Sequence, residues 1–378
     1  MPLSSLLRSL RLMTGLVLLV FVAMHLANLA LGLRSIEAME ETRRIMMAPW
    51  RSLAGTVVLA SSSVLHGALG LYAIASRRSL AMSRTDWVQM LLGLVTTPLL
   101  LNHIVLVEIF KLLDAQFTPY YGLLLCIFWK FVPANALLQV LAIVCVWVHA
   151  SIGLYSWLVL KPIWRRIGPL LVPLLFAVPI LALLGFVQGG KEAMSRLEQD
   201  AVWQAQITAN FAPIMEAKQQ METIRDEIFL VYLALAVIAL AIFLYRALRI
   251  RSQQVAVAYD GGLIGQGRRG LSILEVSRLN NIPHAHVCSG RGRCGTCVIQ
   301  VSGDEAALTP IGEEERHTLR RIHAGEGQRL ACQARLRGGP QAIPLAVVRL
   351  MPAYADASAS RHPEEWANAP AVSLQVSP

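Results

Sequence analysis

Six apolar stretches, each long enough to cross a bilayer, decide what this chain can fold into. They run roughly 12–33, 52–75, 87–110, 134–159, 167–188 and 228–246. A spanning helix needs about 20 such residues, and inside lipid only helices or closed barrels satisfy the backbone polar groups. The chain has 378 residues, 55% hydrophobic and 15% charged, which is too apolar for an ordinary soluble domain. The first stretch follows Arg8 and Arg11 as a secretory signal would. Its length and the lack of a small-residue cleavage site mark it as a retained helix.

Basic residues set the expected orientation. Arg8 and Arg11, Arg77, Arg78 and Arg84, then Lys161, Arg165 and Arg166, and finally Arg246, Arg249 and Arg251 fall on one side. The other side holds Arg34, Arg43, Arg44 and Arg51 mixed with Glu37, Glu40 and Glu41, together with Lys130 and a polar stretch at 189–227 that reads as helical. The first set fits the cytoplasmic side of an inner membrane, with both termini inside. The formal charge of +10 is thereby explained by membrane orientation, which argues against nucleic acid as a partner.

Each of the first four stretches carries one histidine: His25, His66, His103 and His149. Ionisable groups are costly in lipid and tend to mark function. At about 1.5 Å per residue, His25 lies roughly 20 Å and His103 roughly 24 Å from the cytoplasmic side. His66 and His149 lie about 20 Å from the outer side, near the inner third of a core about 30 Å thick. The expected pairs are therefore His25 with His103 and His66 with His149, each drawn from alternate helices. Two facing imidazoles suit the axial positions of a b-type haem, so two haems are expected. Gly67, Gly70, Gly153 and Ser61 to Ser63 would admit a flat macrocycle. This pattern resembles the di-haem membrane anchors of succinate dehydrogenase and fumarate reductase. The fifth and sixth stretches lack histidine, and Pro169, Pro173 and Pro179 predict a kinked packing helix in the fifth.

After Arg251 the periodicity changes. "VAVAY" (255–259) predicts a strand, "DGG" a turn and "SILEVSRLNN" (272–281) a capped helix. A further strand, "CVIQV", a helix at Glu313, Glu314 and Glu315, and a closing strand region at "RLACQARL" complete the expected α+β domain. Cys126 and Cys145 stand alone in apolar stretches as small hydrophobes. The other four form the set Cys288-x5-Cys294-x2-Cys297, with 34 residues before Cys332. That spacing is one residue longer in its first gap than the plant-type pattern for a [2Fe-2S] cluster. The region resembles adrenodoxin-like ferredoxins, in which the longer gap occurs. A zinc ribbon would show a second Cys-x2-Cys knuckle. By the same resemblance, Cys288 and Cys294 hold the iron nearer the surface, and Cys297 and Cys332 the other. Gly265-x-Gly267-x-x-Gly270 matches a dinucleotide fingerprint, but the helix after it leads into the cysteine loop, so these glycines are assigned to a hairpin.

The expected architecture is a six-helix transmembrane bundle (1–251), an α+β, β-grasp 2Fe-2S ferredoxin domain (252–348) and a disordered tail (349–378). The run "IPHAHVCSGRGRCGTCVIQV" with "RLACQ", behind six apolar stretches, resembles the amino-terminal regulatory part of bacterial membrane-bound class III adenylate cyclases. That resemblance implies a haem-binding anchor, a ferredoxin module and redox signalling. The residues after 348 are too few for a cyclase domain, and no flavin or nicotinamide site is visible, so an enzymatic activity of this chain is not assigned. The partners expected are membrane lipid, quinone, a cyclase or a soluble redox protein, and a second copy of the chain in a homodimer. The alternative is a quinone-linked electron-transfer subunit serving a soluble oxidoreductase.

Overall fold

A computed structural model describes residues 3–77, 82–249, 254–303, 305–337 and 345–351. The tail expected to be disordered lies outside the described residues from 352 onward. The chain opens with α1 (Leu3–Ala30), α2 (Ile36–Met46), α3 (Ala48–Arg51), α4 (Leu53–Ala75) and α5 (Arg84–Ile104). A π-helical turn at Val105–Ile109 joins α5 to α6 (Phe110–Leu113), and α7 (Tyr121–Cys126) runs into a second at Ile127–Phe131. Then come α8 (Ala134–Leu158), α9 (Trp164–Gln199), α10 (Ala201–Glu216) and α11 (Lys218–Arg249).

Six of these helical units are long and apolar enough to cross a membrane: Leu6–Leu33, Leu53–Ala75, Arg84–Leu113, Ala134–Leu158, Trp164–Gln199 and Lys218–Arg246. Their outward faces remain apolar, with Val64 75% exposed, Leu170 74% and Phe176 67%. In water those faces would be unstable; against lipid chains they are at home. The six helices fit a multi-pass membrane protein. Serines start two of them: the side chains of Ser52 and Ser83 accept from the backbone N–H of Gly55 and Asp86.

Helix α9 carries Pro169, Pro173 and Pro179 within one continuous helical run, although each proline lacks the N–H that a helix interior uses. The polar stretch after residue 188 is helical, as expected, but it begins as the continuation of α9 and passes into α10. Helix α7 differs from expectation, since the sequence reading places no helix there. Leu123, Leu125 and Cys126 are fully buried there, and Phe128 beyond it is 5% exposed. This short apolar segment packs against α9, α10 and α2. Gly32 and Gly185 let α9 approach α1: an added Cβ at Gly185 would sit 2.2 Å from the Leu29 carbonyl oxygen.

The C-terminal domain is a five-stranded mixed sheet in the order β2-β1-β5-β3-β4, with one helix packed on its face. Strands β1 (Gln254–Tyr259) and β2 (Ile264–Arg268) form an antiparallel hairpin, turned at Gly261 with φ +75. Helix α12 (Ile273–Leu279) follows, started by a capping box between Ser272 and Glu275. After it come β3 (Val298–Ser302), α13 (Glu313–Arg321), β4 (Gln328–Leu330) and β5 (Leu345–Arg349). Strand β5 pairs parallel to β1 and antiparallel to β3, closing a β-grasp fold.

"LAVVR" at the middle of the sheet was not foreseen. Arg349, one residue past the expected domain boundary, is 4% exposed and pairs with Asp260 at 2.8 Å. Gly265 and Gly267 belong to the hairpin as assigned, in its second strand β2. A Cβ on Gly267 would lie 2.5 Å from Val276, so these glycines let α12 pack down on the sheet. Together with the Gly270 turn, they explain the fingerprint without a nucleotide.

Candidate functional site

Four cysteines converge at one end of the β-grasp domain, each 3% exposed or less. Cys288 and Cys294 lie on the loop between α12 and β3, Cys297 immediately precedes β3, and Cys332 follows β4. They sort into two touching pairs, Cys288 with Cys294 and Cys297 with Cys332. Among the described residues, no three His, Cys, Asp or Glu side chains gather as a single metal ion would need. Two thiol pairs are what a binuclear cluster with two cysteines per iron uses.

The loop backbone is bent to suit such a group. Gly290, Gly292 and Gly295 have φ of +87, +68 and +83, where a side chain would be strained. Carbonyls are drawn outward: Thr318 donates to the Gly292 oxygen at 2.5 Å, and Arg321 to those of Arg293 (2.8 Å) and Cys294 (3.1 Å). Gln333 donates to the Gly290 oxygen at 3.2 Å and lies 3.5 Å from the Cys332 sulfur. Backbone N–H groups are thereby left to face sulfur. The contact with the Cys294 thiol holds Cys288 well below the usual thiol range, and the N–H groups of Arg293, Cys294 and Arg291 add to this against its burial. The Cys332 contact and burial push Cys297 up. Bound iron would replace both protons, since it is the thiolate that ligates.

Within the helical bundle, the four histidines stand as two pairs. His25 and His103 have ring centroids 6.0 Å apart; His66 and His149 are 6.2 Å apart and nearly perpendicular, at 88°. Metal–imidazole bonds of about 2.0–2.1 Å on opposite sides of one ion place the two ligand nitrogens about 4 Å apart and the ring centres about 6 Å apart. Both separations meet that requirement.

The pair nearer the β-grasp domain is fixed by hydrogen bonds. Nδ1 of His66 donates to the Arg11 carbonyl oxygen at 3.1 Å, with the Thr14 hydroxyl at 3.2 Å. Nδ1 of His149 donates to the Gln89 carbonyl oxygen at 3.1 Å. A carbonyl only accepts, so each Nδ1 carries the proton and each Nε2 keeps a free lone pair. That is the tautomer a metal ligand needs, with its second nitrogen anchored.

Two glycines that sequence reasoning missed make this contact possible. A Cβ on Gly15 would fall 2.9 Å from Cε1 of His66, and one on Gly93 would fall 3.0 Å from Cε1 of His149. Each lies one helical turn beyond the carbonyl that receives the Nδ1 proton. A signal was there to find them: Gly15 precedes His25 by ten residues, as Gly93 precedes His103. Likewise Gly70 follows His66 by four residues, as Gly153 follows His149. The helix pair α1 and α4 thus carries the same pattern as α5 and α8. Gly67 and Gly70 face open space, with no atom within 4 Å of an added Cβ, which leaves room for a flat group beside His66.

The outer pair is held differently. The His25 ring stacks on Phe21 at 5.9 Å, Trp50 meets Phe21 edge-on, and His103 lies 6.3 Å from Phe128 beyond α7. Nδ1 of His103 is buried without a hydrogen-bond partner.

The two halves meet at the cysteine loop. Arg291 lies 3.8 Å from Asp86 at the start of α5, and Glu314 pairs with Arg8 of α1. The loop therefore faces the end of the bundle that holds His66 and His149.

Comparison with known proteins locates one part of this arrangement. Residues 266–337 match the family described as a 2Fe-2S iron-sulfur cluster binding domain. All four paired cysteines fall within the matched residues. The chain is also similar to Chlorosome protein I of Chlorobaculum tepidum, 35% identical over 65 residues. That alignment covers 17% of this chain and 27% of the relative, so the chain spans about a quarter of that protein. No solved structure matches the chain. The chain is a bundle of six apolar helices followed by an iron–sulfur ferredoxin domain, and electron transfer is the chemistry of that domain.

Proposed function

We propose that this protein passes electrons between membrane quinone, two b-type haems and a [2Fe-2S] cluster, as the regulatory module of a cyclase-type signalling system in the inner membrane. Cys288, Cys294, Cys297 and Cys332 hold the cluster. His25 and His103 hold the outer haem, and His66 and His149 the inner one. The haems and the cluster supply one-electron carriage when bound. The ferredoxin domain lies on the cytoplasmic side, as the basic residues at that end of the bundle favour.

The observation that carries this reading is the geometry of the inner pair: rings 6.2 Å apart, each with Nδ1 committed to a helix carbonyl. With Nδ1 protonated on each ring, both Nε2 atoms keep a lone pair available to a metal. The chain's residues do the rest. Arg11 and Gln89 hold the rings through their carbonyls, Gly15 and Gly93 make room, and the Arg291–Asp86 contact brings the cluster loop to the same end of the bundle. A loop turned toward the bundle favours exchange within the chain over service to a freely diffusing partner, which is the alternative reading. Tethering also raises the effective concentration of one centre at the other.

The test mixes oxidised full-length protein with a quinol analogue in a stopped-flow instrument and follows haem and cluster absorbance. Haem reduction followed by cluster reduction is expected, the second step slowed in a His66→Ala variant. Folded protein that takes up no supplied haem overturns the haem assignment. A cluster reduced equally fast without the inner haem overturns the series arrangement.

A further inference from the structure

The junction between the two halves holds more positive charge than its visible partners balance. Arg11 of α1 stands within Coulombic reach of Arg8, Arg77, Arg291 and Arg293. Two come from the cluster loop, and the others from α1 and the end of α4. Among the described residues, two carboxylates pair with this group: Glu314 with Arg8, and Asp86 with Arg291 at 3.8 Å. Glu275 is within reach of Arg77 but is engaged by Arg335 at 3.1 Å. Five guanidinium groups against two carboxylates leave a surplus in a partly shielded place, and the negative charge of a cluster on Cys288 and its partners would offset only part of it. The Nε of Arg8 is buried with no hydrogen-bond partner.

Like charges brought together in a partly shielded place repel one another. Without a further anion, that repulsion weakens the seating of the ferredoxin domain on the bundle. An anionic group with several oxygens would reverse the sign, because guanidinium forks pair well with carboxylate and phosphate.

We propose that Arg8, Arg11, Arg77, Arg291 and Arg293 form an anion site that docks the ferredoxin domain onto the bundle when filled. The ligand is a group of anionic oxygens: the carboxylates of a haem held by His66 and His149, or the phosphate of an anionic lipid headgroup. The haem source rests on the function proposed above; the lipid source does not. The site lies between the two redox centres. The Arg11 carbonyl holds the His66 ring at 3.1 Å, and the N–H of Arg291 donates to the Cys288 carbonyl at 3.3 Å. Occupancy of this one site therefore controls the separation of the cluster from the inner pair.

Full-length protein is placed in nanodiscs of phosphatidylcholine alone or with phosphatidylglycerol, each with and without haem. Hydrogen exchange of residues 284–297 reports docking, cluster absorbance reports a folded domain, and redox titration gives the inner haem potential. With haem carboxylates as ligand, haem-loaded protein protects the loop in phosphatidylcholine and depleted protein does not. The Arg77→Gln variant, remote in sequence from the cluster, loses that protection and shifts the inner potential negative. With lipid phosphate as ligand, protection follows phosphatidylglycerol whether or not haem is present, and Arg77→Gln abolishes it. Equal protection in all four preparations, unmoved by Arg77→Gln, overturns the site. Protein that binds no haem defeats the proposed function instead, and the phosphatidylglycerol arm still decides the anion site.

Discussion

The inner and outer histidine pairs have nearly the same separation, 6.2 and 6.0 Å, yet the chain holds them by different means. The inner rings are pinned by hydrogen bonds to helix carbonyls, over glycines that admit the ring. The outer rings are held by aromatic contact, with Phe21 stacked on His25 and the Nδ1 of His103 left bare. A hydrogen bond fixes which nitrogen carries the proton, whereas stacking fixes only the plane. On the proposed reading the inner pair is preorganised to offer Nε2 to a metal, and the outer pair has more freedom in tautomer and tilt. The difference matches their neighbours, since the inner pair faces the cluster loop.

The strongest test of the comparison removes one pair outright. His66→Ala should abolish the inner haem, about half of the total on the two-haem reading, and leave the outer spectrum unchanged. The pyridine haemochrome content and the low-temperature spectrum decide it; loss of both haems together would show that the pairs are not independent. Next in size is Gly15→Val. Even a Cβ there comes within 2.9 Å of the His66 ring, and a branched side chain drives the ring out. The cost should fall in the usual range for overpacking, about 1–3 kcal/mol, with inner haem lost and outer haem kept. An unchanged spectrum would mean that the ring sits elsewhere.

These contacts also show where the sequence was readable. The six spans, the pairing of His25 with His103 and His66 with His149, and the cysteine spacing follow from one-dimensional rules: apolar length, depth along a helix, and ligand interval. What escaped depends on contact between distant segments. Gly15 and Gly93 read as ordinary helix glycines until the rings from α4 and α8 are placed over them. Strand β5 is five residues long and follows a stretch with no pattern of its own, so its central place comes only from pairing with β1 and β3. Helix α7 is too short to span a membrane, and its burial is set by α2, α9 and α10 around it. The dinucleotide-like glycines fell in the hairpin as their local context implied, and the packing of α12 against β2 explains why they are glycines.

The outer pair offers the reciprocal test. Phe21→Ala removes the ring stacked on His25 and the edge contact to Trp50, leaving a cavity worth about 3–5 kcal/mol in a packed core and less where lipid can enter. The outer haem should broaden spectrally and exchange more readily with apo-acceptor protein, while the inner haem is unaffected. Equal effects on both would remove the distinction between stacked and hydrogen-bonded pairs.

The smallest effect should come from Thr14→Val, which keeps the shape of the side chain and deletes its hydroxyl. That hydroxyl donates to the Leu10 carbonyl at 2.9 Å and lies 3.2 Å from His66 Nδ1, so it is a second, weaker acceptor for the ring proton. The Arg11 carbonyl at 3.1 Å remains and still dictates the tautomer. One lost neutral hydrogen bond is worth about 0.5–1.5 kcal/mol, too little to expel the ligand. With one acceptor fewer, the Nδ1 proton is held less strongly and the imidazole donates less electron density through Nε2. Haem content should stay constant while the inner midpoint potential rises slightly and the outer one stays fixed. Redox titration of the variant beside wild type reads both values in one sample. A fall in the inner potential would show that the hydroxyl does not share the ring proton, leaving the Arg11 carbonyl as the sole anchor of His66.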